Sequence, residues 1–181
     1  MLRVVGGKYR HRLLSVPSGD STRPTTDKVR EALMSALGVN LIDAVILDLF
    51  AGSGALGIES LSRGASKVYF CDNNYNAIKT IKSNISTLNI EEEIEVISTH
   101  YMSALKQFKE RNVKFDIVYL DPPYIKQEVY QEVTNFLLDN NLLSDDGIIV
   151  KEWNQEIPVD ERFSYHKAYK YGSIHILIER K

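Results

Sequence analysis

"ILDLFAGSGALG", residues 46–57, points to the architecture: an apolar run broken only by Asp48 ends in Gly52, Gly54 and Gly57, spaced G-x-G-x-x-G. A buried strand that runs straight into such a turn and then into a helix is how a doubly wound α/β sheet begins. The glycines there permit unusual backbone angles and let a ligand approach the main chain. The flanks agree with this reading. "KVYFCD", "IEVIS", "FDIVYLD" and "GIIVKEW" read as strands that alternate with helical "ALGIESLSRG", "YNAIKTIKSNISTLN", "MSALKQFKE" and "QEVYQEVTNFLLDNN". Such βα repetition implies a parallel sheet with helices on both faces. Past Trp153 the pattern stops, and "FSYHKAYK" and "SIHILIER", separated only by "YG", predict a closing antiparallel hairpin and seven strands in all.

In front of this core, "LRVVGGKYRHRLLSV" reads as a short hairpin around Gly6 and Gly7, followed by the loop "PSGDSTRPTT". "TDKVREALMSAL" then places Val29, Leu33, Ala36 and Leu37 at helical spacing behind possible caps Thr25, Thr26 and Asp27, which predicts a helix over 27–37. The expected organisation is an N-terminal extension, residues 1–40, packed on a Rossmann-like core, residues 41–181.

The chain has 181 residues, 44% hydrophobic and 25% charged, as suits one compact soluble domain. Cys71 is the only cysteine, so neither an internal disulfide nor a cysteine-based metal site can form. The opening "MLRVVGGKYRHRLL" lacks the apolar core of a signal peptide, and no apolar run reaches membrane-spanning length; a cytoplasmic location and no membrane partner are expected. A net charge of −2 argues against a general polyanion binder, yet residues 1–30 carry seven cations against two anions. That basic front is either a solvated edge or a set of phosphate contacts, with Lys8, Arg10, Arg12, Arg23 and Arg30 as candidates.

In a doubly wound sheet ligands sit beyond the carboxyl ends of the strands, where strand order reverses. Phe50, Ala51, Gly52, Ser53 and Gly54 occupy the first such turn. About 20 residues on, Asp72 and Asn73 end the second strand, either to accept from ribose hydroxyls or as ordinary turn residues. A nicotinamide dinucleotide and S-adenosylmethionine both fit so far. Asp48 favours the second, since a carboxylate there repels a pyrophosphate and attracts an ammonium group; it could equally cap the loop. At the end of the third strand, His100 and Tyr101 are candidates for adenine contacts. His11, His166 and His175 show no metal-ligand spacing, and Trp153 reads as core.

"YLDPPY", Tyr119 to Tyr124, puts an acid, two prolines and an aromatic at the end of the fourth strand, on the same rim as the glycine-rich loop. Pro122 and Pro123 stiffen the turn and leave its carbonyls available as acceptors. An exocyclic amine on a nucleobase is a poor nucleophile because its lone pair is delocalised into the ring. Asp121 and a backbone carbonyl at Pro122 can accept its two hydrogens and aim the lone pair at a methyl donor, while Tyr124 stacks on the base. Such a base must be unpaired or flipped out. The bland alternative is a strand-to-loop turn.

With these motifs the sequence resembles class I, Rossmann-like S-adenosylmethionine-dependent methyltransferases of the amino-methylating D-P-P-Y kind. More narrowly it is similar to the RsmD family, bacterial enzymes that make N2-methylguanine in 16S rRNA. "RVVGGKYRHRLL", "RPTTDKVREALMSAL", "LDLFAGSGALGIESLSRGA", "DPPY" and "KYGSIHIL" carry the likeness. The resemblance implies an S-adenosylmethionine cofactor, no metal, and 16S rRNA or a 30S assembly intermediate as partner to a monomeric enzyme. It also implies that Arg23, Thr25, Thr26, Asp27 and Arg30 lie at or near the active site. "THYM" departs from the pattern, which has an Asp or Asn where His100 stands and a small residue where Tyr101 stands. Adenine-N6 methylation, a nicotinamide-dependent oxidoreductase and a non-catalytic RNA-binding module are the competing readings.

Overall fold

The computed structural model describes residues 2–18, 26–122 and 127–181. In chain order the elements are β1 (Leu2–Arg3), β2 (Leu13–Leu14), α1 (Asp27–Leu37), β3 (Val45–Asp48), α2 (Ala55–Ser62), β4 (Lys67–Asp72) and α3 (Tyr75–Leu88). There follow β5 (Glu93–Ser98), α4 (Tyr101–Glu110), β6 (Phe115–Leu120), α5 (Gln127–Asp139), β7 (Leu143–Trp153), β8 (Tyr165–Tyr171) and β9 (Ile174–Arg180). β1 and β2 pair as a small hairpin. The other seven strands form one sheet in the order β5-β4-β3-β6-β7-β9-β8, in which β9 alone runs against the direction of the other six. This is the expected Rossmann-like sheet with its closing hairpin.

Two apolar clusters lie on opposite faces of the sheet. On one face Ile46, Phe70, Ile117, Tyr119 and Val150 pack with Val29, Leu33 and Met34 of α1, Ile58 and Leu61 of α2, and Ile81 of α3. On the other, Leu47, Tyr69, Val118 and Ile149 meet Leu105 and Phe108 of α4 and Val133 and Leu137 of α5. The alternation of side chains along each strand divides them this way. Capping residues set the helix ends: Thr26 Oγ1 accepts from the Val29 amide at the head of α1, and Asn74 Oδ1 accepts from the Asn76 and Ala77 amides at the head of α3.

The glycine spacing has a distinct reason at each end. Gly52 and Gly54 adopt φ of +55° and +77°, which the turn into α2 requires. At Gly57 the reason is contact, since a Cβ there would come within 2.3 Å of the Phe70 ring. The third glycine therefore lets α2 lie close against β4.

The front segment is held to the core by Glu59, which is fully buried in α2. Its carboxylate accepts from the Val5 and Gly6 amides at 2.8 Å each and from Arg63 Nε at 3.0 Å. Arg30 Nε lies 3.6 Å away. Arg30 corrects an expectation: its side chain is 1% exposed, pairs with Asp27 at 2.9 Å and with Glu59, and donates to the Arg3 carbonyl. A guanidinium so enclosed ties α1 to α2 and the hairpin, and is no phosphate ligand.

A buried carboxylate with four donors around it is costly to delete, because the arginine it neutralises stays behind. Glu59→Ala is expected to lower unfolding stability by about 3–5 kcal/mol. Arg63→Ala, which leaves Glu59 its other partners at a partly exposed position, should cost about 1 kcal/mol or less. Urea denaturation of the two variants measures both, and equal losses would contradict Glu59 as the anchor.

Candidate active site at the carboxyl rim

Strand order reverses between β3 and β6. From β3 the chain steps outward to β4 and β5, then crosses back to pair β6 with β3 on its other side, Asp48 opposite Tyr119. The loops leaving these two strands diverge and open a crevice. The glycine-rich turn, residues 49–54, leaves β3, and Asp121 and Pro122 leave β6. Pro123 and Tyr124 lie outside the described residues.

Backbone and side-chain bonds fix the turn from several sides. The Leu49 amide donates to the Tyr119 carbonyl at 3.3 Å and the Ala51 amide to the Cys71 carbonyl at 2.9 Å. Asp72, at the end of β4, accepts from the Gly52 amide through Oδ2 at 2.9 Å and from the Asn74 amide through Oδ1 at 2.8 Å. Each oxygen keeps a lone pair, and the side chain is only partly buried. Asn73 is exposed beside it. Beneath the turn Asp48 is 3% exposed and accepts from the Gly57 amide at 3.1 Å. Burial pushes its carboxyl up to about 7, opposed by the Gly57 hydrogen bond and assisted by the charge of Asp72. Of the two roles open to Asp48, the loop-capping contact is the one present in the fold.

Asn84 of α3 escaped notice in the sequence. It is buried, donates through Nδ2 to the carbonyls of Ser53 and Ser15 at 3.0 Å each, and accepts through Oδ1 from the Ser15 amide. One side chain therefore connects the glycine-rich turn to the strand leaving the front hairpin. Mid-helix asparagine was the only signal available, and its partners lie 31 and 69 residues away.

An aromatic wall stands next to the turn. Tyr101 packs on Phe50 with ring centroids 5.3 Å apart, and His100 packs on Tyr101 at 4.2 Å. His100 also caps α4, its Nδ1 accepting from the Met102 amide at 3.4 Å. Tyr101 Oη donates to Glu132 at 2.8 Å, and burial together with that carboxylate pushes the phenol up to about 12. At His100 and Tyr101 the fold supplies flat aromatic surface beside the turn.

On the far side of the crevice Asp121 is partly buried. Burial, then the charges of Glu152 and Asp48, raise its carboxyl well above the usual carboxylate range. Such a group holds a proton more tightly than a surface aspartate and becomes a better base. Tyr119, under the rim, shares a 2.8 Å hydrogen bond with Ser60 and is buried.

The fold does not bring all the basic candidates to this crevice. Lys8 pairs with Glu92 at 3.1 Å and Arg12 donates to the Thr87 carbonyl at 3.0 Å, beside the last turn of α3 and the start of β5. That is the opposite edge of the sheet from Asp72 and Asp121. Arg10 is exposed in the same hairpin. Thr26 is different: Met34, further along α1, lies near Tyr119 Oη at 3.9 Å, and Thr26 precedes it by about 12 Å of helix toward the carboxyl rim. Arg23 and Thr25 lie outside the described residues.

Residues 2–180 match the family model described as conserved hypothetical protein 95. The Bacillus subtilis protein YlbH is 40% identical over 161 residues, covering 88% of this chain and 86% of its own. Ribosomal RNA small subunit methyltransferase D of Escherichia coli K12 is 36% identical over 176 residues, covering 96% and 86%. The solved structure of Escherichia coli yhhF superposes with a TM-score of 0.86 at 33% identity, covering 99% of this chain and 97% of that one. The extent of these matches, from the front hairpin to the last strand, establishes that the chain belongs to the RsmD family, also described as conserved hypothetical protein 95.

Proposed function

We propose that the protein transfers a methyl group from S-adenosylmethionine to the exocyclic N2 amine of a guanine in 16S rRNA, in the course of 30S subunit assembly. The observation that carries this reading is the position of Asp121, at the end of β6, directly across the β3/β6 crevice from the glycine-rich turn. Relatives named as small-subunit rRNA methyltransferases support rRNA as the substrate. Solved structures of the same fold that hold S-adenosylhomocysteine support the cofactor.

The turn suits that ligand. A Cβ at Gly52 would meet nothing within 4 Å, so the main chain there is open on its outer side. The remaining lone pairs of Asp72 serve the ribose hydroxyls, and Phe50 and Tyr101 offer faces to the adenine. When bound, S-adenosylmethionine supplies a methyl group made electrophilic by its sulfonium.

Asp121 and the Pro122 carbonyl accept the two amine hydrogens and draw the nitrogen out of conjugation with the ring. The glycine-rich turn and Asp72 would hold the methyl donor beside this amine, and the donor would supply the methyl carbon that the nitrogen lone pair takes up, leaving as a neutral thioether. The nitrogen then sheds one proton, and Asp121, with its raised affinity for protons, takes it before passing it to solvent. Proximity and orientation supply most of the rate.

Asp121→Ala should reduce methyl transfer by at least ~1,000-fold while leaving S-adenosylhomocysteine affinity within about twofold; Asp72→Ala should weaken that affinity roughly tenfold or more. Single-turnover transfer and calorimetry separate the two effects, and an active Asp121→Ala variant would contradict the mechanism. Because the carboxylate form must accept the amine hydrogens, kcat/KM should fall with acidification at a pH well above the ordinary aspartate value of about 4. A rate that stays flat down to that value would exclude Asp121 as acceptor.

The basic hairpin at the far edge is read as a remote phosphate contact. Replacing Arg10 and Arg12 by alanine should weaken rRNA binding and flatten the dependence of log K on log salt by about 1–2, with cofactor affinity unchanged. An unaltered slope would confine the RNA to the rim near Thr26.

A further inference from the structure

The edge strand β8 carries a row of aromatic and cationic side chains that the amine chemistry does not use. Along "YHKAYKY", residues 165–171, alternation puts Tyr165, Lys167, Tyr169 and Tyr171 on one face. That is the face of α1, since Tyr169 and Tyr171 pack against the cluster that holds Val29, Leu33 and Leu37. Between β8 and the end of α1 lies a hollow of about 290 Å³, whose walls include Leu37, Asn40, Tyr165, Lys167, Tyr169 and Arg180.

Rings and cations alternate along this row. Arg180, opposite Tyr165 on β9, brings its guanidinium carbon 6.0 Å from the centre of that ring. Lys167 Nζ stands 5.1 Å from the centre of the Tyr169 ring, and Tyr169 stacks on Tyr171 with planes 10° apart. Neither cation is neutralised: among the described residues no carboxylate pairs with Lys167 or Arg180. The Arg180 side chain donates to Asn40 Oδ1 at 3.1 Å, and its Nε has no acceptor. Tyr165 is 48% exposed, and Lys167 is exposed beside it.

Strand register gives the row a direction. Tyr165 and Arg180 lie level with Ile148 of β7, Ile117 of β6 and Ile46 of β3, near the amino end of the sheet. Tyr171 and Ile174 lie one step beyond the pair Trp153 and His175, at its carboxyl end. From Tyr165 to Tyr171 the strand climbs about 20 Å, from the hollow to the rim where Asp121 stands.

Flat rings interleaved with unneutralised cations suit a single-stranded nucleic acid, because bases stack on aromatic faces whatever their identity while the cations meet the phosphates. An acidic polypeptide would use the charge and leave the rings idle. Addition of an edge strand from a second copy is opposed by Lys167 and Lys170, which would bring like charges together. We propose that β8 and the end of α1 form a track for single-stranded rRNA beside the target nucleotide, with the hollow taking a flanking base. The identity of the RNA rests on the preceding reading, whereas the binding chemistry of β8 is independent of methyl transfer.

The test titrates the intact protein with a fluorescent single-stranded oligouridylate of roughly 12 nucleotides. Tyr165→Ala should weaken binding at least about fivefold, and Tyr165→Phe, which keeps the ring, should stay within about twofold of wild type. Lys167→Ala should flatten the dependence of log K on log salt by about 0.7, whereas Lys170→Ala, on the opposite face of the strand, should leave it unchanged. With unmodified 16S rRNA as substrate, Tyr165→Ala should raise KM by a similar factor, with kcat and S-adenosylhomocysteine affinity within about twofold of wild type. Binding unmoved by Tyr165→Ala overturns the proposal, as do equal losses from Lys170→Ala and Lys167→Ala. Polyglutamate that competes as well as oligouridylate would assign the surface to an acidic polypeptide, and a dimer that Tyr165→Ala dissociates would assign it to a second copy; either overturns the proposal. Thermal unfolding checks the variants, and if Tyr165→Ala does not fold, the contrast between Lys167 and Lys170 decides. A wild-type protein that methylates no rRNA yet shows this pattern on oligouridylate defeats the function proposed above and upholds the single-strand surface. N2-methylguanine formed with a KM unmoved by Tyr165→Ala defeats the track alone.

Discussion

Parallel pairing of β3 with β6 sets the geometry of the whole rim. It places Asp48 opposite Tyr119 and so brings the turn after β3 and the loop after β6 to the same height, on strands about 4.8 Å apart. Every contact that shapes the crevice follows from that register. The Leu49 amide reaches the Tyr119 carbonyl, Asp72 on the next strand reaches the Gly52 amide, and Asp121 emerges across from the open side of the glycine-rich turn. A one-residue slip would turn Asp48 and its neighbours to the other face of the sheet.

Charge at this rim is arranged in order across the sheet. Asp72, Asp48, Asp121 and Glu152 end, or nearly end, four adjacent strands, β4, β3, β6 and β7. Two of them are engaged with main-chain amides, Asp72 with Gly52 and Asn74, and Asp48 with Gly57, and these make the turn rigid. Asp121 and Glu152 lie on the other side of the switch point.

The features that sequence reading recovered are those with local signatures. The strand, glycine turn and helix at residues 45–62, the helix beginning at Asp27 and the closing hairpin all follow from periodicity, caps and turn residues within a few positions of one another. The features it missed are charged or amide side chains that find partners far along the chain. Glu59 binds Val5 and Gly6 from more than 50 positions away, and Arg30 looks like a surface arginine of an amphipathic helix until Glu59 is placed beside it. Lys8 and Arg12 belong to the same basic segment as Thr26, yet the hairpin carries them to the opposite edge of the sheet. Pattern alone assigns charge to solvent, and only tertiary pairing shows which charges are enclosed.

Methyl transfer from labelled S-adenosylmethionine to unmodified 16S rRNA, free and in assembled 30S particles, followed by nucleoside analysis, decides whether the rim methylates a guanine amine. Label in N2-methylguanosine is the expected outcome. Label in N6-methyladenosine would keep the amine mechanism and contradict the assigned base, and no transfer to either substrate would contradict the proposed function itself.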